Sequence, residues 1–240
     1  GKANGEEIDL AVDPVEGTNF VAKNLPGGIS VLAAAPKNGL FYCPETYMDK
    51  LAFSGEIEKD ALDLEFTNEK NFKNLADSLN KNIEDLTICL LDRPRHNEII
   101  ETAKKFKIKM KLISDGDVAG ALMVTDKNFE IDLFLGIGGG PEGVIAASAL
   151  DCYNCNFKGK FIFSTDQEKL RAQKMGIYDF DKKYDLKDIV KGDSIFSATG
   201  ITNGDLVNGV KKNNNEFITE TLVTHKSQNL VKKIEKSISI

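Results

Sequence analysis

The chain has 240 residues, a formal net charge of −6 and four cysteines; that length supports a full hydrophobic core without disulfides or a structural metal. An isoelectric point near 5.2 argues against a nucleic-acid partner, because phosphate backbones are held by clustered lysines and arginines. No apolar run approaches the roughly 20 residues that span a bilayer, and the start, GKANGEEIDL, lacks a basic stretch followed by an apolar one, so neither a membrane partner nor an export signal is expected.

In chain order, IDLAVD (8–13) and ISVLAAA (29–35) read as buried strands. EKNFKNLADSLN (69–80) has helical periodicity, with Phe72, Leu75 and Leu79 on one face. LTICLLD (86–92) is a predicted strand, HNEIIETAKKF (96–106) a helix and KMKLIS (109–114) a strand. The lysines at 104, 105, 107, 109 and 111 are broken up by apolar residues, which suits a solvated helix end running into that strand. A short helix and the strand IDLFLGIG (131–138) follow, then a helix over PEGVIAASALDCY (141–153) with Pro141 in its first turn. KFIFST (160–165) and SIFSATG (194–200) are further strands, and beyond them TNGD (202–205) and KNNNE (212–216) are candidate chain reversals.

Strands alternating with helices predict an α/β fold. A division near residues 82–85 separates two α/β portions, 1–84 and 85–240, although no linker composition marks it. Cys43, Cys89, Cys152 and Cys155 are expected as reduced thiols in a cytoplasmic protein. The single C-x-x-C offers too few ligands for a structural zinc, and His96 reads as a helix-start residue.

Acidic residues at strand ends carry the chemistry, because ligands of open α/β sheets bind beyond the carboxyl ends of the strands. Asp13 closes the first strand and Glu16 follows three residues on, so two carboxylates can converge. Oxygen ligands of this kind suit Mn²⁺ or Mg²⁺, and Gly17 and Thr18 open a helix whose free N–H groups could receive a phosphate. A plain capped turn would look the same. Asp115 and Asp117 flank Gly116 after the strand at 109–114, as sugar-hydroxyl acceptors, metal ligands or a simple helix cap. Glu142 sits in a first helical turn behind glycines 138–140, where a carboxylate also complements the helix dipole. Arg93 and Arg95, two apart beyond the strand at 86–92, suit a phosphate, or surface ion pairs.

DPVEGT resembles the DPxxGT motif of the inositol monophosphatase and fructose-bisphosphatase superfamily. Glu at its fourth position is similar to the class II (GlpX-type) fructose-1,6-bisphosphatases. The inositol branch normally has Asp there and a later W-D-x-A type motif, which a chain without tryptophan does not contain. SDGD, GIGGGPEGV, Tyr47 in ETYMDKLA, DRPRH and FSATGITNGDL extend the resemblance from Gly5 to about Lys232.

The resemblance implies a layered α/β/α/β/α sandwich that hydrolyses the 1-phosphate of fructose 1,6-bisphosphate, a gluconeogenic step linked to glycerol metabolism, with sedoheptulose 1,7-bisphosphate as a second candidate substrate. By it, Asp13, Glu16 and Glu142 are metal ligands and Thr18 orients the attacking water. The backbone of Gly17 and Thr18 takes the scissile phosphate, beside Glu16. Tyr47, Arg93, Pro94 and Arg95 bind phosphate and sugar, and Asp115, Gly116, Asp117 and Gly139 read the sugar. The cofactor is Mn²⁺ or Mg²⁺, the partner a small sugar bisphosphate, and the assembly a homo-oligomer. Alternatives are an inositol or nucleotide monophosphatase, or an inactive chain that binds metal or sugar phosphate. The family carries a further segment ahead of the one matched here, with acidic residues that complete the metal site. A chain lacking that segment is expected to show little activity.

Overall fold

A computed structural model describes residues 4–239, so the outermost residues of the two expected portions, 1–3 and 240, lie outside the described residues. The chain opens with β1 (Ile8–Glu16), the short helix α1 (Thr18–Ala22) and β2 (Ile29–Pro36), then enters a second sheet through β3 (Tyr47–Phe53). Helix α2 (Asn68–Leu79) leads to the alternating run β4 (Thr87–Leu91), α3 (Asn97–Lys105), β5 (Lys109–Ile113), α4 (Asp117–Leu122), β6 (Leu133–Gly139) and α5 (Gly140–Cys152). Next come β7 (Asn156–Ile162), α6 (Asp166–Lys174), β8 (Lys183–Asp185) and α7 (Leu186–Ile189). The chain then returns to the first sheet as β9 (Ile195–Gly200), β10 (Lys211–Asn213), β11 (Glu216–His225) and β12 (Leu230–Ser239).

The first sheet has the order β1-β2-β9-β11-β10, with β12 also on β11, and every pairing is antiparallel. The second has the order β5-β4-β6-β3-β7-β8, in which β4 runs parallel to both β5 and β6 and the other pairings are antiparallel. Both sheets therefore draw strands from either side of residue 84: β3 sits inside the second sheet, and β9 to β12 extend the first.

Sequence explains where the helices go. α5 is apolar on all sides, from Val144 through Leu150, and is buried between the two sheets, in contact with β1, β2 and β9 on one side and β3, β6 and β7 on the other. α4 packs beside it. α2, capped by the Thr67 side chain accepting from the Lys70 N–H, instead has one apolar stripe, and Phe72 and Leu75 close a second core with Ile100 and Ala103 of α3 against Ile88, Leu90 and Leu133. The described residues thus form four layers, β/α/β/α, where the resemblance implied five, and the fold is α/β.

Two expectations are corrected, and one strand had no counterpart among them. β1 is not a buried strand: it is the edge of the first sheet, so Ile8, Leu10 and Val12 point away from α5 and stay exposed while Asp9, Ala11 and Asp13 face inward, half-buried. TNGD lies in a long loop between β9 and β10, because β9 pairs with β2 and β11 and not with its successor. β3 went unread, since a lysine at its middle interrupts the apolar pattern of YMDKLAF. KNNNE does form a reversal, between β10 and β11 with Asn214 at φ 50°, and the lysine run is the end of α3 entering β5.

Candidate active site

The parallel strands β4, β5 and β6 end on the same side of the second sheet. From β4 the chain leaves by α3 on the outer face, returns as β5, and crosses by α4 on the inner face to β6 on the other flank of β4. Such a reversal of winding direction opens a crevice at the strand ends. Antiparallel β3 begins there, with Tyr47 opposite Gly139, and the last residues of β1 close the crevice from the first sheet. The resulting cleft, about 370 Å³, is lined by Asp13, Glu16, Gly17, Thr18, Tyr47, Arg93, Arg95, Asp115, Asp117, Gly139 and Glu142, together with Val15, Leu91 and Gly138. Of the residues named from sequence only Pro94 and Gly116 do not line it. Pro94 starts the 3-10 turn that carries the arginines, and Gly116 lines an adjoining apolar pocket.

The acidic wall begins at a bulge. β1 continues through Pro14 to Glu16, with a register shift between Asp13 and Glu16, and the Val15 N–H donates to Asp13 Oδ1 at 3.0 Å. Glu16 is only 3% exposed; its Oε1 accepts from the Val118 N–H at 2.8 Å, while Oε2 is buried without a partner. Burial pushes its pKa up from 4.5 to about 8, against the pull of the Val118 bond and with help from the neighbouring aspartates. Gly17 turns the chain at φ 77°. Asn19 gives both its backbone and side-chain N–H groups to Asp115 Oδ2, each at 3.1 Å, so that aspartate ties the DPVEGT turn to the SDGD turn. The Phe20 ring lies where Cβ atoms on Gly17, Gly27 and Gly116 would stand, within 2.8 to 3.2 Å of each.

Deeper in the cleft stands a residue that sequence reasoning did not single out. Lys50, 1% exposed, forms an ion pair with Asp117 Oδ2 and donates to the Gly139 carbonyl at 2.9 Å. One side chain thereby fixes the ends of both turns from beneath. Asp117 Oδ1 is left buried and unpartnered, and burial raises the pKa of nearby Glu142, opposed by the Lys50 charge. The available signal was parity: Lys50 shares its strand face with Met48 and Ala52, both fully buried.

The cleft also carries cations. Arg93 Nη1 donates to the Asp92 carbonyl at 2.9 Å, and Arg95 Nε donates to the Ile137 carbonyl at 3.0 Å. The Arg95 guanidinium lies 5.0 Å from the centre of the Tyr47 ring. His96 is at the start of α3 as expected, but its imidazole is buried at 1% exposure rather than solvated.

Among the described residues no three His, Cys, Asp or Glu side chains enclose a cation on their own. The donor set still fits one. Asp13, Glu16 and Glu142 present oxygen only, two of the three carboxyls are desolvated, and the unpartnered Glu16 oxygen is the kind of buried group that a hard cation satisfies.

Carboxylates and guanidinium groups that line one cleft define an α/β protein whose site suits a phosphate ester. Comparison with known proteins narrows the class. A family model described as bacterial fructose-1,6-bisphosphatase, glpX-encoded, matches residues 1–238. A D-fructose 1,6-bisphosphatase class 2/sedoheptulose 1,7-bisphosphatase of Synechococcus sp. (strain JA-2-3B'a(2-13)) is 38% identical over 242 residues, covering 95% of this chain and 70% of the relative. The fructose-1,6-bisphosphatase 2 class 2 of Escherichia coli (strain K12) is 36% identical, covering 93% of this chain and 73% of the relative. The fructose-1,6-bisphosphatase class 2 of Haemophilus influenzae is 35% identical, covering 98% and 74%. The chain belongs to the glpX-encoded, class 2 fructose-1,6-bisphosphatase family.

Proposed function

We propose that the protein is a phosphoric monoester hydrolase that removes the 1-phosphate of fructose 1,6-bisphosphate, leaving fructose 6-phosphate and phosphate. The supporting observation is a single cleft lined both by Asp13, Glu16, Asp117 and Glu142 and by Arg93, Arg95 and Tyr47. A substrate with phosphates at both ends fits such a site, its distal phosphate on the arginines and its reacting phosphate at the acidic end. Sedoheptulose 1,7-bisphosphate, named for the cyanobacterial relative, has the same two-ended chemistry and is included in the proposal.

In this reading the free guanidinium edges of Arg93 and Arg95 bind the distal phosphate, and Asp115 and Asp117 accept sugar hydroxyls. Thr18 orients a water for attack on phosphorus; the P–O bond to the sugar breaks as the bond to water forms, and the leaving oxygen takes up a proton. Asp13, Glu16 and Glu142 would hold Mn²⁺ or Mg²⁺, which would supply charge to polarise the phosphoryl oxygens. Among the described residues no helix is long and apolar enough to cross a membrane. A cytoplasmic, homo-oligomeric enzyme of gluconeogenesis completes the proposal.

The test is phosphate release from fructose 1,6-bisphosphate with Mn²⁺, before and after chelation, with Asp13→Ala alongside. Release that is lost on chelation, returns with added Mn²⁺ or Mg²⁺ and is absent in the variant supports the reading. Release that persists under chelation overturns the metal assignment, and none from the complete wild-type protein overturns the substrate.

A further inference from the structure

The strands that flank the crevice are spliced by side chains. β4 pairs with β6 at only two positions, Ile88 with Leu133 and Cys89 with Phe134, and beyond them the two strands part to make room for the cleft. On this open side of β6 both backbone groups of Ile137 are taken by consecutive residues of the turn that follows β4. The Ile137 N–H donates to His96 Nε2 at 2.8 Å, and its carbonyl accepts from Arg95 Nε at 3.0 Å. The other imidazole nitrogen, Nδ1, is 2.7 Å from the Leu91 carbonyl, the last residue of β4. Leu91 offers only an acceptor and Ile137 only a donor, so His96 is the neutral tautomer with its proton on Nδ1.

The imidazole therefore connects the end of β4 to the last residues of β6 beside the cleft, with both nitrogens committed. Two further observations show that the space is made for it. His96 is 1% exposed, and Gly136, at φ 127°, stands where a Cβ would come within 2.8 Å of Nε2. The two structures it joins have different duties in the proposed function. The β4 side carries Arg93 and Arg95; the β6 side leads through Gly138 and Gly139 to Glu142.

We propose that His96 is a positioning residue that sets the separation between the distal-phosphate subsite and the reacting end of the cleft, and so selects for bisphosphate over monophosphate substrates. The inference rests on the bisphosphatase reading. The distance between the phosphates of a sugar bisphosphate is bounded by its covalent skeleton. A site that holds the arginines at a fixed spacing from the acidic wall binds both ends at once, and a loosened one gives up part of that gain. A monophosphate makes no contact at the arginines and is indifferent to the spacing.

His96→Asn and His96→Gln separate the two bonds, since Asn can still donate to the Leu91 carbonyl while the Gln carbonyl can still accept from the Ile137 N–H. Kinetics on the complete enzyme with Mn²⁺ would compare fructose 1,6-bisphosphate with fructose 1-phosphate. The expected result is a KM for the bisphosphate raised about tenfold in His96→Asn, equivalent to ~1.4 kcal/mol, with kcat within about twofold, KM for fructose 1-phosphate unchanged, and partial rescue in His96→Gln. Parallel losses on both substrates, or an unchanged bisphosphate KM in folded His96→Asn, overturn the proposal. If wild-type enzyme releases no phosphate from the bisphosphate, the functional reading has failed and the selection for bisphosphates fails with it. The splice itself is then decided by amide hydrogen exchange at Ile137: faster exchange in His96→Asn than in His96→Gln upholds it, and equal protection in wild type and both variants refutes it.

Discussion

Lys50→Met is the sharpest perturbation the structure offers. Methionine keeps the apolar stem that packs near Gly143 of α5 but removes the ammonium beneath the cleft, leaving the Asp117 carboxylate without its counter-ion. The two side chains are 2% and 10% exposed, so water replaces the lost partner poorly. Breaking a buried pair from one side costs about 3–5 kcal/mol, and loss of the charge-assisted bond to the Gly139 carbonyl belongs to the same event. For a domain of this size each kcal/mol lowers the melting temperature by roughly 2–4 °C, so a fall of about 10 °C is expected. Thermal and urea unfolding, with chelator present so that no added cation stands in for the ammonium, measure it. Lys50→Met/Asp117→Asn, which removes the stranded charge as well, should recover more than half of the loss without recovering phosphate release. A single variant as stable as wild type, or a double variant no more stable than the single, would refute the argument that Lys50 offsets the Asp117 charge.

Two other predictions concern the same region. Glu16 has a folded-state pKa of about 8 against an ordinary 4.5, so between those values the folded chain holds a proton that the unfolded chain releases. Without a divalent cation, stability must therefore fall as pH rises from about 5 to 8, by at most about 5 kcal/mol; Glu16→Gln should flatten that dependence in chelator-containing melts, and an identical slope in the variant would contradict it. Gly136→Ala places a methyl against His96 Nε2 at a backbone angle that L-residues avoid, and should cost at least about 1–3 kcal/mol in urea unfolding, whereas a neutral effect would mean that the β6 backbone relaxes freely there.

What was legible in the sequence was local. DPVEGT and GIGGGPEG span the ends of β1 and β6, and SDGD directly follows β5, so the motif and the place where the strand ends are read from the same few residues, and the structure brings all three to one cleft. The alternation from β4 to α5 was legible for the same reason. What escaped depends on partners far away in the chain. Lys50 sits at a position where a lysine looks like the interruption of a strand, and its burial makes sense only once Asp117 and Gly139 lie above it. His96 reads as an ordinary helix start until Ile137, 41 residues on, arrives opposite its ring. The exposure of β1 is another such case: apolar residues alternate there as in a buried strand, and only the sheet order makes it an edge.

The Phe20 ring gives the cleft a mechanical property. Because one aromatic side chain fills the volume above Gly17, Gly27 and Gly116, the turn bearing Glu16 and Thr18 and the turn bearing Asp115 and Asp117 share a bearing surface, and their loops are joined again by Asn19 on Asp115. Neither turn can swing outward alone without opening a void over the other, which close-packed interiors resist. Displacement at the acidic end of the cleft is therefore a property of the two turns together, and a substitution that loosens Phe20 is felt in both.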